Sequence, residues 1–150
     1  MNVADIMTAQ PVTVQPNHTL RHALEIMERV GCHHLPVLST ERHLVGILSD
    51  RDCRTALHSP YVLREGWQDD QLLDQLRVGS VMTAAPIVIE PDAFADEAAR
   101  LMLVNRINCL PVMRGETLVG IVTSSDVLSA FVRMCQRVPF THPDHSSKQT

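Results

Sequence analysis

The chain has 150 residues, of which 45% are hydrophobic and 20% charged, a composition typical of a folded globular protein. Its formal net charge of −4 argues against a nucleic-acid-binding module, for which a basic surface is expected. The N-terminus has no basic start, and no apolar run approaches the roughly 18 residues that span a bilayer, so we expect neither a signal peptide nor a membrane anchor. Four cysteines without a Cys-x-x-Cys pair favour reduced thiols and a cytoplasmic location.

The sequence contains an internal repeat. Residues 3–37 recur with a shift of 75 positions, and residues 44–52 recur with a shift of 74. The matched motifs are Ile6-Met7-Thr8-Ala9 with Val81-Met82-Thr83-Ala84, Leu35-Pro36-Val37 with Leu110-Pro111-Val112, and Leu44-Val45-Gly46-Ile47 with Leu118-Val119-Gly120-Ile121. The period is too long for a solenoid unit of roughly 20 to 50 residues. Two copies of one unit are therefore predicted, related by pseudo-twofold symmetry and separated by a cleft that could hold a ligand.

The elements of the first copy can be predicted in chain order. Residues 12–14 form an apolar strand bounded by Pro11 and Pro16, and the helix that follows carries apolar side chains at helical spacing between Leu20 and Val30. Residues 35–38 and 44–48 form two further strands, separated by a polar turn. A second helix begins directly after Ser49, so the predicted unit is strand, helix, strand, strand, helix.

The second copy repeats this order, with its first strand at residues 87–89 and its last helix after Thr123. The predicted fold class is α/β, more closely α+β, with two β-α-β-β-α repeats. The first repeat spans residues 1–57, a linker spans 58–77, the second repeat spans 78–138, and a polar, disordered tail spans 139–150. Within the linker, Asp69 and Asp70 are predicted to lie in a loop and residues 71–77 in a short helix.

The sharpest local signal is the junction between the third strand and the last helix of each copy. Residues 46–52 and 120–126 each contain Gly, two apolar residues, a hydroxyl and, three positions later, an Asp. The hydroxyl and the first-turn amides at such a helix start can bind phosphate oxygens, and the carboxylate can accept both hydroxyls of a ribose. The same Ser/Thr-x-x-Asp pattern is also an ordinary helix-capping signature. The junction alone does not decide between a nucleotide contact and a cap.

The whole pattern resembles a tandem pair of cystathionine-beta-synthase-type (CBS) domains, the Bateman module, over about residues 3–138. The motifs that carry the resemblance are Asp5-Ile6-Met7-Thr8 with Ser80-Val81-Met82-Thr83, His34-Leu35-Pro36-Val37 with Cys109-Leu110-Pro111-Val112, and the two Gly-to-Asp junctions. In this family the cleft between paired domains commonly holds AMP, ADP, ATP or S-adenosylmethionine. The resemblance therefore implies an adenosine-containing regulatory ligand and no catalytic cofactor.

The resemblance also implies roles for individual residues. Asp52 and Asp126 would accept the ribose hydroxyls, and Ser49 and Thr123 would contact phosphate. Four residues of the predicted first strands would line the base pocket: Thr13, Val14, Val88 and Ile89. Basic residues just before the Leu-Pro-Val motif reach phosphate in the energy-sensing kinase subunits of the family, and these positions are His33 and His34 here.

The two copies differ at the histidines. Asn108 and Cys109 replace them in the second copy, so we expect two unequal sites. Consecutive residues of a strand point to opposite faces, which argues against a metal site made by His33 and His34. An ordinary surface or buried role and a phosphate contact are the two remaining interpretations. If the histidines contact phosphate, their pKa should rise on binding and affinity should weaken above neutral pH.

The residues bear on three classes of function: an enzyme, a ligand sensor and a scaffold. No nucleophile with a base, no catalytic carboxylate pair and no metal-ligand spacing stands out, so we do not expect an enzyme. A ligand-sensing regulatory module that signals to a separate effector protein is the leading hypothesis. The alternative is a dimerisation scaffold without a ligand, because the last helix carries a wide apolar face. Val127, Leu128, Phe131 and Val132 belong to that face, which predicts a homodimer under either hypothesis.

Overall fold

The computed structural model describes residues 1–58 and 66–136. The predicted disordered tail, and residues 137 and 138 of the predicted second repeat, lie outside these ranges. The first half of the chain contains a 3-10 turn at Val3–Asp5, then β1 (Thr8–Ala9), α1 (Leu20–Val30), β2 (His34–Leu38), β3 (Leu44–Ser49) and α2 (Asp50–Leu57). After α3 (Gly66–Gln75) follow α4 (Val78–Val81), β4 (Thr83–Ala84), α5 (Ala95–Asn105), β5 (Cys109–Arg114), β6 (Thr117–Thr123) and α6 (Ser124–Gln136). Within the described residues, no helix is long and apolar enough to cross a membrane.

Each repeat begins with a two-residue strand, β1 or β4, which we call its leader strand. The two repeats exchange these leader strands. Strand β1 of the first repeat pairs antiparallel with β6 of the second, and β4 of the second repeat pairs antiparallel with β3 of the first. The two three-stranded sheets therefore have the orders β1-β6-β5 and β2-β3-β4, and each contains strands from both repeats. The predicted pair of repeats is confirmed, but the exchange was not predicted from the sequence.

Each repeat has its own core, and the two cores use equivalent positions. Leu35 and its equivalent Leu110 are fully buried, as are Leu48 and its equivalent Val122. These residues belong to two separate clusters of buried aliphatic side chains, one for each repeat. The duplicated sequence thus produces a duplicated core, and helix pairs α1–α2 and α5–α6 cover the two sheets.

The predicted first strand of each repeat is reduced to a single bridge. Val14 pairs in parallel with Val37, and Ile89 pairs in parallel with Val112. The Val14 amide donates to the Pro36 carbonyl at 3.1 Å, and the Leu38 amide donates back to the Val14 carbonyl at 2.9 Å. Flanking prolines lack an amide hydrogen, so the pairing cannot extend as a longer ladder.

The linker is more helical than predicted. Helix α3 begins at Gly66, five residues before the predicted start at Gln71, so the prediction of a loop at Asp69 and Asp70 was wrong. The Arg21 side chain on α1 donates from Nε to Asp74 Oδ1 at 2.7 Å and from Nη2 to the Asp70 carbonyl at 3.0 Å. These contacts are exposed to solvent, which screens them, so they contribute little to stability. Leu73 and Leu76 pack on the core of the first repeat, which is the main reason that α3 lies there.

Two equivalent glycines allow the leader strands to approach. A Cβ on Gly46 would meet Met82 Sδ and would lie 2.9 Å from the Thr83 carbonyl oxygen, and a Cβ on Gly120 would meet Met7 Sδ and lie 3.0 Å from the Thr8 carbonyl oxygen. Backbone atoms of a paired strand cannot move aside without breaking the ladder. Glycine is therefore required at both positions by the exchange of leaders.

We predict that Gly46→Ala and Gly120→Ala each lower the free energy of unfolding by about 1–3 kcal/mol, the usual cost of forcing an extra carbon into a packed site. Urea denaturation followed by circular dichroism would measure the loss. Thr55→Ala, at an exposed helical position, is the control and should change stability by less than about 0.5 kcal/mol. Unchanged stability in both glycine variants would contradict the described strand exchange.

Candidate functional site

The exchange of leaders builds a cleft from both repeats, which we call the Asp126 cleft. It has a volume of about 280 Å³. The first repeat contributes the segment around β1 and the loop between α1 and β2, while the second contributes the end of β6 and the first turn of α6. The lining residues are Thr8, Pro11, Val12, Val30, Gly31, Cys32, His33, His34, Ile121, Thr123, Ser124, Ser125 and Asp126. Four of the predicted site residues are thus brought together: His33, His34, Thr123 and Asp126.

The polar end of the cleft is the N-terminus of α6. Both the amide and the hydroxyl of Thr123 donate to Asp126 Oδ2, at 2.8 and 3.0 Å, and the Asp126 amide approaches Thr123 Oγ1 at 3.4 Å. These bonds form a helix cap, so the capping interpretation holds. They engage one carboxylate oxygen, however, and a carboxylate offers about four acceptor positions. A cap of this kind can therefore also accept ligand hydroxyls through Oδ1.

The neighbouring hydroxyls add donors at the same place. Ser124 and Ser125 follow Thr123 and line the cleft with it. The Ser124 amide already donates to the Asn108 carbonyl at 2.9 Å. The Ser125 amide also belongs to the first turn of α6, where backbone N–H groups have no partner within the helix and carry a partial positive charge. This end of the cleft can bind an anionic or hydroxyl-rich group.

His34 lies at the start of β2, where it pairs with Ser49 of β3. Burial lowers the pKa of the His34 imidazole from its usual value, and Asp50 and Asp52 only partly oppose this effect while His33 adds to it. His34 is therefore neutral near pH 7 in the empty cleft and can donate or accept one hydrogen bond there.

His33 links the cleft to the first turn of α2. Its Nδ1 lies 3.0 Å from Asp50 Oδ2, and Arg54 Nη2 donates to the same oxygen at 3.0 Å. Burial would raise the pKa of Asp50, but the hydrogen bond with His33 and the charge of Arg54 together outweigh burial and lower it. Asp50 is thus ionised at neutral pH and holds the His33 ring at the edge of the cleft. In the described residues, no group of three His, Cys, Asp or Glu side chains could hold a metal ion.

Ser49 and Asp52 form the equivalent cap at α2. The Ser49 amide donates to Asp52 Oδ2 at 3.1 Å, and the Asp52 amide donates to Ser49 Oγ at 3.0 Å. Strand β4 pairs with β3 as β1 pairs with β6, so the repeat makes this cap the counterpart of the Asp126 cap, and we call the equivalent region the Asp52 cleft. The residues around the Asp52 cleft differ from those of the Asp126 cleft. Arg106 replaces Gly31, and Asn108 and Cys109 replace the two histidines. At the start of the helix, Asp50 and Arg51 replace Ser124 and Ser125.

The four residues predicted to line the base pocket lie elsewhere. Val14 and Ile89 are 1% and 5% exposed and belong to the two cores. Thr13 lines a different cleft, near the β2–β3 and β5–β6 turns, and Val88 lies on exposed surface depressions. In their place, Thr8, Val12 and Ile121 line the Asp126 cleft. Thr8 belongs to the Met-Thr-Ala motif that both repeats share, and this repetition could have indicated that Thr8 lines the cleft.

Similar chains of known structure have the same architecture. CBSX2 of Arabidopsis thaliana, solved in complex with AMP, is 29% identical, with a TM-score of 0.71 and coverage of 89% of this chain and 98% of the other. The CBS domain pair of protein MJ0100, solved in complex with 5′-methylthioadenosine and S-adenosyl-L-methionine, is 27% identical, with a TM-score of 0.77 and the same coverage.

The sequence comparisons agree with these structures. A CBS domain-containing protein of Dictyostelium discoideum is 33% identical over 138 residues, which cover 91% of this chain and 95% of that protein. The CBS domain model matches residues 3–59 and 78–133, so it covers both repeats. The chain therefore belongs to the CBS domain family, and its two repeats form a tandem CBS pair.

Proposed function

We propose that this chain is a regulatory module that binds an adenosine-containing ligand in the Asp126 cleft and signals to a separate effector protein. The observation that carries the proposal is the composition of this cleft, in which a capping carboxylate and three successive hydroxyl residues of one repeat face two histidines of the other. The AMP complex of CBSX2 and the S-adenosylmethionine complex of the MJ0100 pair support an adenosine ligand. AMP, ADP, ATP and S-adenosylmethionine are the candidates.

The lining residues suggest how such a ligand would lie. Asp126 Oδ1 would accept the ribose hydroxyls, because two adjacent O–H donors suit one carboxylate. The hydroxyls of Ser124 and Ser125, the Ser125 amide and His34 would contact phosphate. Val12 and Ile121 provide the apolar surface for the flat face of adenine.

The Asp52 cleft is a poorer phosphate site. Two carboxylates, Asp50 and Asp52, lie in the first turn of α2, where the Asp126 cleft has one carboxylate and two serines. The lowered pKa of Asp50 keeps its negative charge at neutral pH. The ion pair with Arg54 balances part of this charge, and Arg51 and Arg106 add positive charge nearby. We therefore base the proposed unequal occupancy, with the Asp126 cleft filled first, on the serine hydroxyls and histidines that only that cleft has.

In this proposal, the ligand acts by shifting the population between a closed and a looser arrangement of the two repeats. A ligand that contacts His34 of the first repeat and Asp126 of the second binds best when the repeats are closed, so it favours that arrangement over a looser one. Helix α6 starts in the cleft and extends to the outer surface, where an effector could detect the change. The proposed role is non-catalytic, and a cytoplasmic location is part of the same proposal.

A second function, a dimerisation scaffold, is favoured by one specific observation. Leu128, Phe131 and Val132 on α6 are all more than half exposed. Large apolar side chains grouped in this way mark association surfaces. A homodimer is compatible with both functions, and ligand binding is what distinguishes them.

We predict that Asp126→Ala weakens binding of the adenosine ligand by about 10- to 100-fold, because a hydrogen bond to a charged group contributes about 1.5–3 kcal/mol. The lost cap should lower the free energy of unfolding by only about 1 kcal/mol. Isothermal titration calorimetry of nucleotide-stripped protein with AMP, ADP, ATP and S-adenosylmethionine would measure the affinities.

The matched control is Asp52→Ala, which removes the equivalent cap from the other repeat. Asp52→Ala should lower the free energy of unfolding by about as much as Asp126→Ala does. It should change the affinity of the site that fills first by less than about threefold. If no ligand in this panel binds to folded protein, the sensor proposal fails and the scaffold remains. If the two variants weaken binding equally, the assignment to the Asp126 cleft is wrong.

We predict that affinity for AMP decreases as pH rises. Burial lowers the pKa of His34 in the empty cleft, and a bound phosphate raises it, so binding is accompanied by proton uptake in the window between the two values. The affinity that protonated His34 adds is fully present below the pKa of His34 in the free protein. It is lost as the pH rises through the higher pKa that His34 has when phosphate is bound. A decrease of about three- to tenfold between roughly pH 6 and pH 8 is expected in calorimetric titrations.

Two comparisons isolate this effect. His34→Asn should bind AMP more weakly and should no longer lose affinity as pH rises, since asparagine does not titrate and the second ionisation of the phosphate, with a pKa of about 6, only adds negative charge to the ligand. Adenosine, which has no phosphate, should show a flat profile with the unsubstituted protein. An equally steep profile for adenosine, or for the His34→Asn variant, would disprove the proposed phosphate contact.

A further inference from the structure

The outer face of α5 carries an open groove, which we call the α5 groove. It has a volume of about 410 Å³ and is lined by Phe94, Asp96, Glu97, Arg100, Leu101 and Val104. Phe94 and Val104 are 65% and 75% exposed, although side chains of this kind are more often buried. The groove therefore presents apolar surface between charged side chains.

The corresponding place on the first repeat is occupied by a helix of the chain itself. Helix α3 contacts α1, and Arg21 of α1 donates hydrogen bonds to Asp70 and Asp74 of α3. Asp96, which lines the α5 groove, is the repeat equivalent of Arg21. The place of α3 on the first repeat and the α5 groove on the second are therefore equivalent parts of the duplicated unit.

The backbone contacts beside the two places are also the same. The Leu20 amide donates to the carbonyl of Leu76, the residue that follows α3, at 3.0 Å. In the second repeat, the Ala95 amide donates to the carbonyl of Met1 at 3.1 Å. Leu76 and Met1 are repeat equivalents, so both places adjoin the same contact between the start of a helix and the segment ahead of a leader strand.

The second repeat has no counterpart of α3 among the described residues. Within residues 1–58 and 66–136, α5 packs mainly against α6 and β5, and no helix covers the α5 groove. On the first repeat, Leu73 and Leu76 pack on the core in which Ile26 is 5% exposed. Leu101, the equivalent of Ile26, is only half-buried and lines the groove. Apolar surface that the first repeat buries is thus left open on the second.

The charges at the two places are opposite. On the first repeat, the guanidinium lies on α1 and the carboxylates lie on α3. Asp96 and Glu97 are exposed in the α5 groove, and an adjoining depression adds Glu90 and Asp92. Arg100 lies 3.4 Å from Asp96 and offsets one of these four carboxylates. The groove and its surroundings therefore carry net negative charge, which favours a partner with basic side chains.

We propose that the α5 groove is the docking site for an amphipathic helix of the effector protein, with leucine-like side chains on one face and Lys or Arg beside them. This helix would take the place that α3 takes on the first repeat, with the charges reversed. Binding of an amphipathic helix in an apolar groove is a common mode of recognition. Two acidic grooves would repel each other, so a second copy of this surface is a poorer occupant. The assignment of the helix to the effector rests on the proposed regulatory function.

A synthetic peptide derived from α3 tests the proposal. It has the sequence of residues 66–77 with Asp69→Arg, Asp70→Arg and Asp74→Arg, and it carries a fluorescein label. Fluorescence anisotropy with the full chain should give a dissociation constant on the order of 10–100 µM, a modest affinity because a short helix must become ordered as it binds. The matched peptide that retains the three aspartates should bind at least about tenfold more weakly.

Two substitutions place first-repeat residues in the groove. Asp96→Arg should weaken binding of the basic peptide at least about tenfold and strengthen binding of the acidic peptide, since it restores the charge of Arg21. Phe94→Thr removes an apolar anchor and should weaken the basic peptide about tenfold, which non-specific electrostatic binding would not show. Glu41→Arg makes the same change of charge at the β2–β3 turn and is the control, with an expected change of less than about threefold.

Circular dichroism of the variants establishes that they remain folded, and Phe94→Thr places a better capping residue ahead of α5. Absence of binding by the basic peptide, or equal binding by the unsubstituted protein and both groove variants, would overturn the proposal. Tighter peptide binding after removal of residues 139–150 would assign the groove to the chain's own tail. Loss of self-association in Phe94→Thr, measured by sedimentation velocity, would assign it to a second copy. Either assignment would also overturn the proposal.

The peptide experiment and the ligand experiment can fail independently. The α5 groove shares no lining residue with the Asp126 cleft, so Asp96→Arg should bind AMP in calorimetry as the unsubstituted protein does. Peptide binding without binding of any nucleotide would remove the sensor proposal and support the docking site. Nucleotide binding without peptide binding would support the sensor proposal and overturn the docking site.

Discussion

The exchange of leader strands is the constraint on which the rest of the structure depends. Neither three-stranded sheet is complete without a strand from the other repeat, so the two units cannot separate without losing a strand each. The close approach at Gly46 and Gly120 fixes where the leaders lie. The same exchange places the leader of the first repeat beside the start of α6. The Asp126 cleft is thus a direct product of the chain topology.

Within that cleft, stability and binding use the same atoms. The cap between Thr123 and Asp126 holds the first turn of α6 and also fixes the carboxylate in one orientation. A carboxylate already held by its helix loses little conformational entropy when a ligand binds. The two interpretations of the Ser/Thr-x-x-Asp pattern are therefore compatible, and the cap prepares the residue for the proposed role.

The sequence was sufficient for the features that depend on local pattern or on repetition. The two main helices of each repeat, the two hairpins and the equivalence of the repeats follow from periodicity and from matched motifs. The neighbourhood of His34 and Asp126 could not be predicted in this way, because it arises from strand pairing between distant segments. Thr13 and Val14 were selected as lining residues from the resemblance, whereas the structure places Val14 in the core and Val12 in the cleft. The start of α3 was missed because residues 66–70 have no apolar pattern of helical spacing, and the helix is held by Leu73 and Leu76, which pack on a core formed by residues distant in sequence.

The exchanged leaders also carry an implication for the origin of the chain. A single ancestral repeat with this topology would have lacked one strand, and it could have completed its sheet only by trading leaders with an identical molecule. Such an ancestor would have been an obligate pair with two identical clefts, and every substitution would have altered both at once. Joining two copies in one chain would remove that restriction, so that one cleft could carry histidines while asparagine and cysteine occupy the equivalent positions of the other.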